Sequence, residues 1–271
     1  MSSPPPETVL HAFGAAGPPV MLAGGRGASW RVGDLVLKPV DMDEDEFAWQ
    51  AEVLSSIPCR GFRVAPPHPA GDGRWVVEGW SASPWVVGEH RTGRWEEIIS
   101  VGDRFHSELS AVPRPALIDR RTDPWSIGDR VAWEELPADP FRRVPHLEAL
   151  LSLRRPLKAR RQLIHGDLTG NVLFAPGEPP AIIDFAPYWR PLAFASAVVV
   201  ADALCWEGAD ASLLGAVEHV EHFGQYLVRA LIYRLVTDAV FRGVRPIPPQ
   251  RAAAYRPAVV IAQQLVGAEE K

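Results

Sequence analysis

Short apolar runs separated by Gly-rich turns fill the first eighty residues, and apolar stripes at helical spacing fill the rest. Residues 20–22, 29–32 and 35–40 are β-type runs, set apart by Gly-rich or Gly-Asp turns. Residues 41–57 predict a helix. Their acidic first turn suits the positive end of a helix dipole, and Phe47, Ala51 and Leu54 make one apolar stripe. Residues 73–79, GRWVVEG, read as a further strand. From Trp95 the spacing becomes helical, over 95–112, 126–135 and 146–153. Residues 181–185 predict a short strand, followed by helices over 192–206, 211–219, 225–241 and 250–265. The pattern predicts an α+β chain with a small β-rich part, residues 1–80, and a larger helical part, residues 81–271. The first six residues and the stretch from Gly267 onward carry neither pattern and read as disordered.

Composition narrows the function classes. Hydrophobic residues at 47% and charged residues at 23% fit a globular enzyme. The net charge of −5 lacks the basic footprint of a general nucleic-acid binder. Cys59 and Cys205 fit neither a disulfide framework nor a zinc pattern, which suits a reducing cytoplasm. The start, MSSPPPETVL, lacks the basic and apolar regions of a secretory signal. The longest apolar run ends at Asp202, short of the roughly 18 residues that span a bilayer. A cytoplasmic protein with neither a membrane segment nor a nucleic-acid partner is expected.

The candidate chemistry lies in LIHGDLTGNVLF, residues 163–174, where an apolar run opens to present Asp167 and Asn171 before closing again. A carboxylate beside apolar segments needs a partner, because burying an isolated charge is costly. Further on, AIIDF sets Asp184 at the end of a second apolar run. Each Asp alone fits a turn residue capping local backbone. Two acids and one amide at strand ends together suit Mg²⁺ and the activation of a hydroxyl. In the first part, LAGGRGASWRVGDLVLKPV gives strand, Gly-rich turn, strand, turn, strand. Gly24, Gly25 and Gly27 would let backbone approach phosphates, with Ser29 at the start of the following strand and Lys38 at the end of the third.

The stretch HGDLTGNVLF…AIIDF resembles the catalytic and metal-binding loops of the aminoglycoside phosphotransferase family, a branch of the protein-kinase-like fold. The resemblance runs over about residues 20 to 240 and is strongest from Leu163 to Phe185. It implies a two-lobed protein-kinase-like fold with a β-rich N-lobe and a helical C-lobe. It implies Asp167 as catalytic base, Asn171 and Asp184 as Mg²⁺ ligands, and Gly25, Gly27, Ser29 and Lys38 on the phosphates of ATP. Lys38 would pair with an acid of the following helix, Glu46 in preference to Glu52. WVVEGWSAS would be the hinge, with backbone at Glu78 and Trp80 meeting the adenine edge. The chain departs from the family in three places: the step from Asp167 to Asn171 is four residues where five is usual, Ala186 stands where Gly usually follows Asp-Phe, and Gln50 stands where Glu is expected on the helix after Lys38. No activation loop or A-P-E motif follows Asp184, which points to a small-molecule acceptor instead of a protein. A non-enzymatic nucleotide-binding protein on a degenerate kinase fold is the alternative.

Other features are bland. His219 and His222 lack the i, i+4 spacing of a helical zinc pair, and residues 154–161 read as a basic surface. Asp123 and Pro124 read as N-cap and first-turn Pro of a helix, with a substrate role for Asp123 or Trp125 unsupported. Between Pro191 and Val228 there is no Lys or Arg, whereas Asp202, Glu207, Asp210, Glu218 and Glu221 are present. Those acids are either a solvated helix face or the lining of a pocket for a cationic, amino-bearing acceptor.

Overall fold

A computed structural model of the chain describes residues 3–22, 27–243 and 245–269. The strand–turn–strand start forms: β1 (Val20–Met21), β2 (Trp30–Val32) and β3 (Leu35–Pro39) are antiparallel, with Met21 opposite Trp30 and Trp30 opposite Leu37. The fourth strand, β5 (Trp80–Pro84), pairs with β3 and places Ser81 opposite Lys38. Residues 73–79 are not a strand. Val77 and Trp80 exchange both backbone hydrogen bonds at 2.9 Å, and Glu78 and Gly79, at φ +48° and +76°, form the two-residue turn between them. Helix α1 (Glu7–Ala12), absent from the sequence expectations, precedes β1, and its Val9 joins Phe13, Val32, Leu37, Val77 and Ala82 in one apolar cluster. Pro5 is also buried.

Helix α2 (Glu44–Ser56) starts on Asp43, whose side chain accepts from the Asp45 N–H, and it buries Phe47, Ala51 and Val53. Strand β4 (Arg63–Val64) runs parallel to β8 (Ala181–Ile182), and β7 (Val172–Leu173) completes that small sheet. Contacts divide the chain into two units, Met1–Glu89 with Leu173–Phe185 and His90–Val172 with Ala186–Lys271.

The second unit is helical: α3 (Trp95–Leu109), α4 (Pro124–Ala132), α5 (Leu147–Leu153), α6 (Leu192–Trp206), α7 (Phe223–Arg242) and α8 (Pro249–Glu269). Asp123 caps α4 by accepting from Trp125 and Ser126 N–H at 3.0 Å, with Pro124 in the first turn as expected. Helix α6 is apolar nearly all round, and α6 and α7 bury most of their residues, so they form the interior against α4 and α8. Residues 211–217 are a 3₁₀ helix instead of the expected α-helix, started by the Asp210 carboxylate on the Ser212 N–H. Helix α8 runs to Glu269, so residues 267–269 are ordered helix. A two-stranded ladder, β6 (Gln162–His165) against β9 (Pro187–Arg190), lies among these helices. Among the described residues no helix is long and apolar enough to cross a membrane.

Candidate functional site

Strand β6 carries the chain to His165, which is fully buried and whose N–H donates to His106 Nε2 of α3 at 2.9 Å. That bond leaves the His106 proton on Nδ1, and burial pushes the His106 pKa down to about 3, so the ring is neutral. Beyond the strand, the Gly166 N–H donates to the Ala186 carbonyl at 2.9 Å, and the Asp167 N–H donates to His165 Nδ1 at 3.2 Å. A Cβ on Gly166 would lie 2.3 Å from the Tyr188 ring, so only Gly fits between His165 and Asp167. Leu168 is buried against Gly102 of α3. After Gly170, at φ +82°, the Asn171 side-chain amide donates to the Asp167 carbonyl at 2.7 Å. Its nitrogen is thereby occupied, and Oδ1 is the atom left for a ligand. The HGD stretch is a backbone clamp that fixes one carboxylate and one amide oxygen.

The Asp167 carboxylate has a partner that the sequence reading missed. Arg234 of α7 donates from Nη2 to Asp167 Oδ1 at 2.6 Å, and from Nε to Asp202 Oδ1 of α6 at 2.8 Å. A second bond joins Arg234 Nη2 to Asp202 Oδ2. Burial pushes the Asp202 carboxyl above its ordinary range against the pull of Arg234. Burial alone would lower the Arg234 pKa, but its two acids outweigh that and raise it.

Asp167 borders a cleft of about 340 Å³ whose walls include Trp125, Trp206, Phe241 and Tyr255. Trp125 and Phe241 meet edge to face at 4.6 Å, as do Trp206 and Tyr255 at 5.0 Å. Arg251 lies over Trp206 at 4.6 Å and bonds Asp238 at 2.7 Å. Of the five acids between 191 and 228, Asp202 and Glu207 line this cleft. Glu207 is held by His90 at 2.7 Å and by the Trp95 indole N–H at 2.5 Å. Asp210 caps its 3₁₀ helix, and Glu218 and Glu221 are exposed.

In the first unit, Lys38 Nζ and Asp184 Oδ1 form a direct ion pair, although 146 residues separate them in sequence. Asp184 sits at φ +49°, a left-handed backbone that Asp tolerates better than most residues. Lys38 was expected to pair with Glu46. Glu46 is buried on α2 and accepts from Gln50 at 3.2 Å, while Glu52 faces solvent. The acid is placed on the inner face of its helix as expected, and Lys38 meets Asp184.

In the Gly-rich hairpin the Ser29 carbonyl accepts from Leu22 N–H at 2.9 Å, and Gly27 adopts φ +66°. Gly24 and Gly25 lie outside the described residues. The hinge assignment needs correcting. Trp80 uses its N–H and carbonyl on Val77, and the Glu78 carboxylate accepts from the Thr8 hydroxyl at 3.1 Å. These two residues form a hairpin tip ahead of β5, whereas the boundary between units comes later, at Glu89 and His90. The apolar run of residues 75–77 lies before that tip, and the strand follows it.

The residues suit a hard divalent cation. No three of His, Cys, Asp and Glu gather as a metal cluster among the described residues. Asp184 keeps Oδ2 outside its pair with Lys38, and Asn171 keeps Oδ1. Mg²⁺ takes few protein oxygens and completes its shell with water and phosphate, and these two oxygens, one in each unit, are each of the type it takes.

No family model matches the chain, and no curated protein matches it. Solved structures do. The choline kinase LicA from Streptococcus pneumoniae superimposes with a TM-score of 0.62 at 10% identity, over 97% of each chain. A thermostable mutant of aminoglycoside phosphotransferase APH(4)-Ia gives 0.59 at 13% identity, over 97% of this chain and 98% of that one. Spectinomycin phosphotransferase APH(9)-Ia, solved with ADP and spectinomycin, gives 0.57 at 13% identity, over 96% of both. The chain has the kinase-like α+β fold of these structures.

Proposed function

We propose that this protein transfers the γ-phosphoryl of ATP to a hydroxyl of a small molecule. The observation that carries the reading is the Lys38–Asp184 pair, with side chains 39% and 50% exposed. A pair so exposed contributes at most about 1 kcal/mol to stability, so folding does not require these two residues to meet. A phosphate-binding cation beside a metal-binding carboxylate is what a nucleoside triphosphate with its metal needs. The likeness to kinases solved with nucleotides supports the same reading.

In this reading Lys38 binds the phosphates, and Asp184 and Asn171 would hold Mg²⁺. Bound there, the ion would neutralise charge on the transferring phosphates. Asp167 orients the acceptor hydroxyl and takes its proton on Oδ2, because Oδ1 is engaged by Arg234. The aromatic walls and the four carboxylates against two guanidiniums in the cleft lining favour an amino-bearing acceptor. A nucleotide-binding protein without turnover is the rival, and the hold of Arg234 on Asp167 is the observation on its side.

The test is ADP release from ATP and Mg²⁺ across matched amino and neutral alcohols at low and high salt. Turnover with an amino alcohol, weakened by salt, is expected. Calorimetric binding of ATP with no turnover on any alcohol would favour the rival, and a preference for neutral or anionic acceptors would remove the cationic one. The phosphate role of Lys38 has its own check. Lys38→Met should weaken ATP binding about tenfold or more, the worth of one hydrogen bond to a charged group, with little change in Tm. Unchanged ATP affinity would return Lys38 to an ordinary surface residue.

A further inference from the structure

We propose that Arg234 is a positioning residue for phosphoryl transfer: it masks Asp167 Oδ1 and leaves Oδ2 as the single oxygen offered to the acceptor hydroxyl. The inference rests on reading Asp167 as the proton acceptor. Arg234 lies in α7 between Tyr233 and Leu235, both buried, and its own side chain is 14% exposed. Asp202 lies in α6, among residues 197–204, which are all buried. Burying these two charges is costly, and apolar residues packed in place of such a pair are often as stable. A two-pronged bond between Arg234 and Asp202 already satisfies both groups. The third bond, to Asp167 at 2.6 Å, is not needed to settle that pair.

The guanidinium is held in orientation as well. Its carbon lies 4.9 Å from the centre of the Tyr233 ring. The Tyr233 hydroxyl bonds the Tyr188 hydroxyl at 3.2 Å, and the Tyr188 ring is what closes on Gly166. Backbone clamp and guanidinium therefore fix Asp167 from two sides. Among the described residues, Oδ2 meets the Asn171 amide nitrogen at 3.5 Å, too long to compete with an incoming hydroxyl. Phosphoryl transfer asks little covalent chemistry of the protein and much positioning, so a carboxylate with one free oxygen in a fixed place suits it.

The test is a double-mutant cycle between Arg234→Lys and Asp167→Asn, read as ADP release from ATP and Mg²⁺ with the best alcohol of the screen, or with water as acceptor. Lysine keeps the charge but lacks the fork that grips two acids. Arg234→Lys should lower kcat about tenfold or more while the KM for ATP stays within about twofold. In the Asp167→Asn background the same change should cost nothing further, because Arg234 acts through Asp167. An equal loss in both backgrounds marks a merely structural residue and overturns the proposal, as does a single variant with wild-type kcat. Arg234→Met with Asp202→Asn removes both buried charges and serves should the lysine variant not fold. Crystal structures keep the two readings apart. The Asp167 carboxylate should leave its wild-type position in Arg234→Lys, and if it stays the proposal is wrong whatever the turnover. A wild type that releases no ADP sinks the phosphotransfer reading instead.

Discussion

Arg190→Met should lower the folding stability by about 3–5 kcal/mol, the cost of stranding a buried acid by removing its partner. Arg190, at the end of β9, reaches Asp129 of α4 from Nε at 2.9 Å and from Nη2 at 2.6 Å. It also reaches Glu135 from Nη1 at 2.6 Å and lies 5.3 Å from the Trp133 ring centre. The Arg190 and Asp129 side chains are 6% and 7% exposed, so water cannot replace a lost partner. Arg142 is the internal comparison. It also bridges two acids, Asp139 and Glu148, but all three are more than half exposed. Arg142→Met should therefore cost no more than about 1 kcal/mol. For a chain of this size the Arg190 variant should melt on the order of 10 °C lower by calorimetry. Its deficit should also depend on pH. Burial already pushes the Asp129 carboxyl up against the pull of Arg190. Without Arg190 that folded-state pKa rises further, so the native state binds the proton more tightly than the unfolded chain. Stability is then retained at pH below the unfolded value and lost as pH rises through the folded one. A variant that melts like wild type at neutral pH would show that Asp129 is not an obligatory partner.

The contrast between the two arginine clusters shows what could be read in the sequence. Elements with strong periodicity were legible: the helix expected over 192–206 is Leu192–Trp206, because an unbroken apolar run has few alternatives to a buried helix. Strand β5 was not legible. After Trp80 its residues, 81–84, are small and make no apolar run, and Ser81 is buried by its place opposite Lys38, not by its chemistry. The Val76–Val77 pair beside it imitated a strand, while consecutive positive φ at Glu78 and Gly79 made the turn. Helix α1 is too short for periodicity to register, and it is fixed by tertiary burial of Val9.

The candidate site divides in the same way. Lys38, Asp167, Asn171 and Asp184 stood out because polar groups with known chemistry interrupt apolar strands. Arg234 was passed over, and Asp202 was read as one of five acids and not as its partner. A signal was present, however: Asp202, the one acid inside the apolar run of α6, needs a cation when buried. The scaffold histidines His106 and His165 carried no such signal. Their roles depend on which ring nitrogen accepts, and only the packed structure decides that.

Asp167→Asn should reduce turnover by about two orders of magnitude or more, the usual worth of a positioned general base. The substitution is nearly isosteric, so its effect can be assigned to chemistry. The Asn171 amide bonds the backbone carbonyl of residue 167, which the change does not touch. Arg234 can still donate to the new amide oxygen and keeps Asp202 in full, so no buried charge is stranded. Lys38 and Asp184 belong to the other unit of the chain, so ATP affinity by calorimetry should stay within about threefold of wild type. What is lost is the one oxygen able to take a proton, because an amide at Oδ2 either donates to the hydroxyl or repels it. The measurement is kcat with the best acceptor of the screen, alongside the ATP dissociation constant and Tm. Loss of kcat with both others held assigns Asp167 to the chemical step. Turnover within a few-fold of wild type would remove it from the mechanism and leave Arg234 with a structural partner in place of a catalytic one.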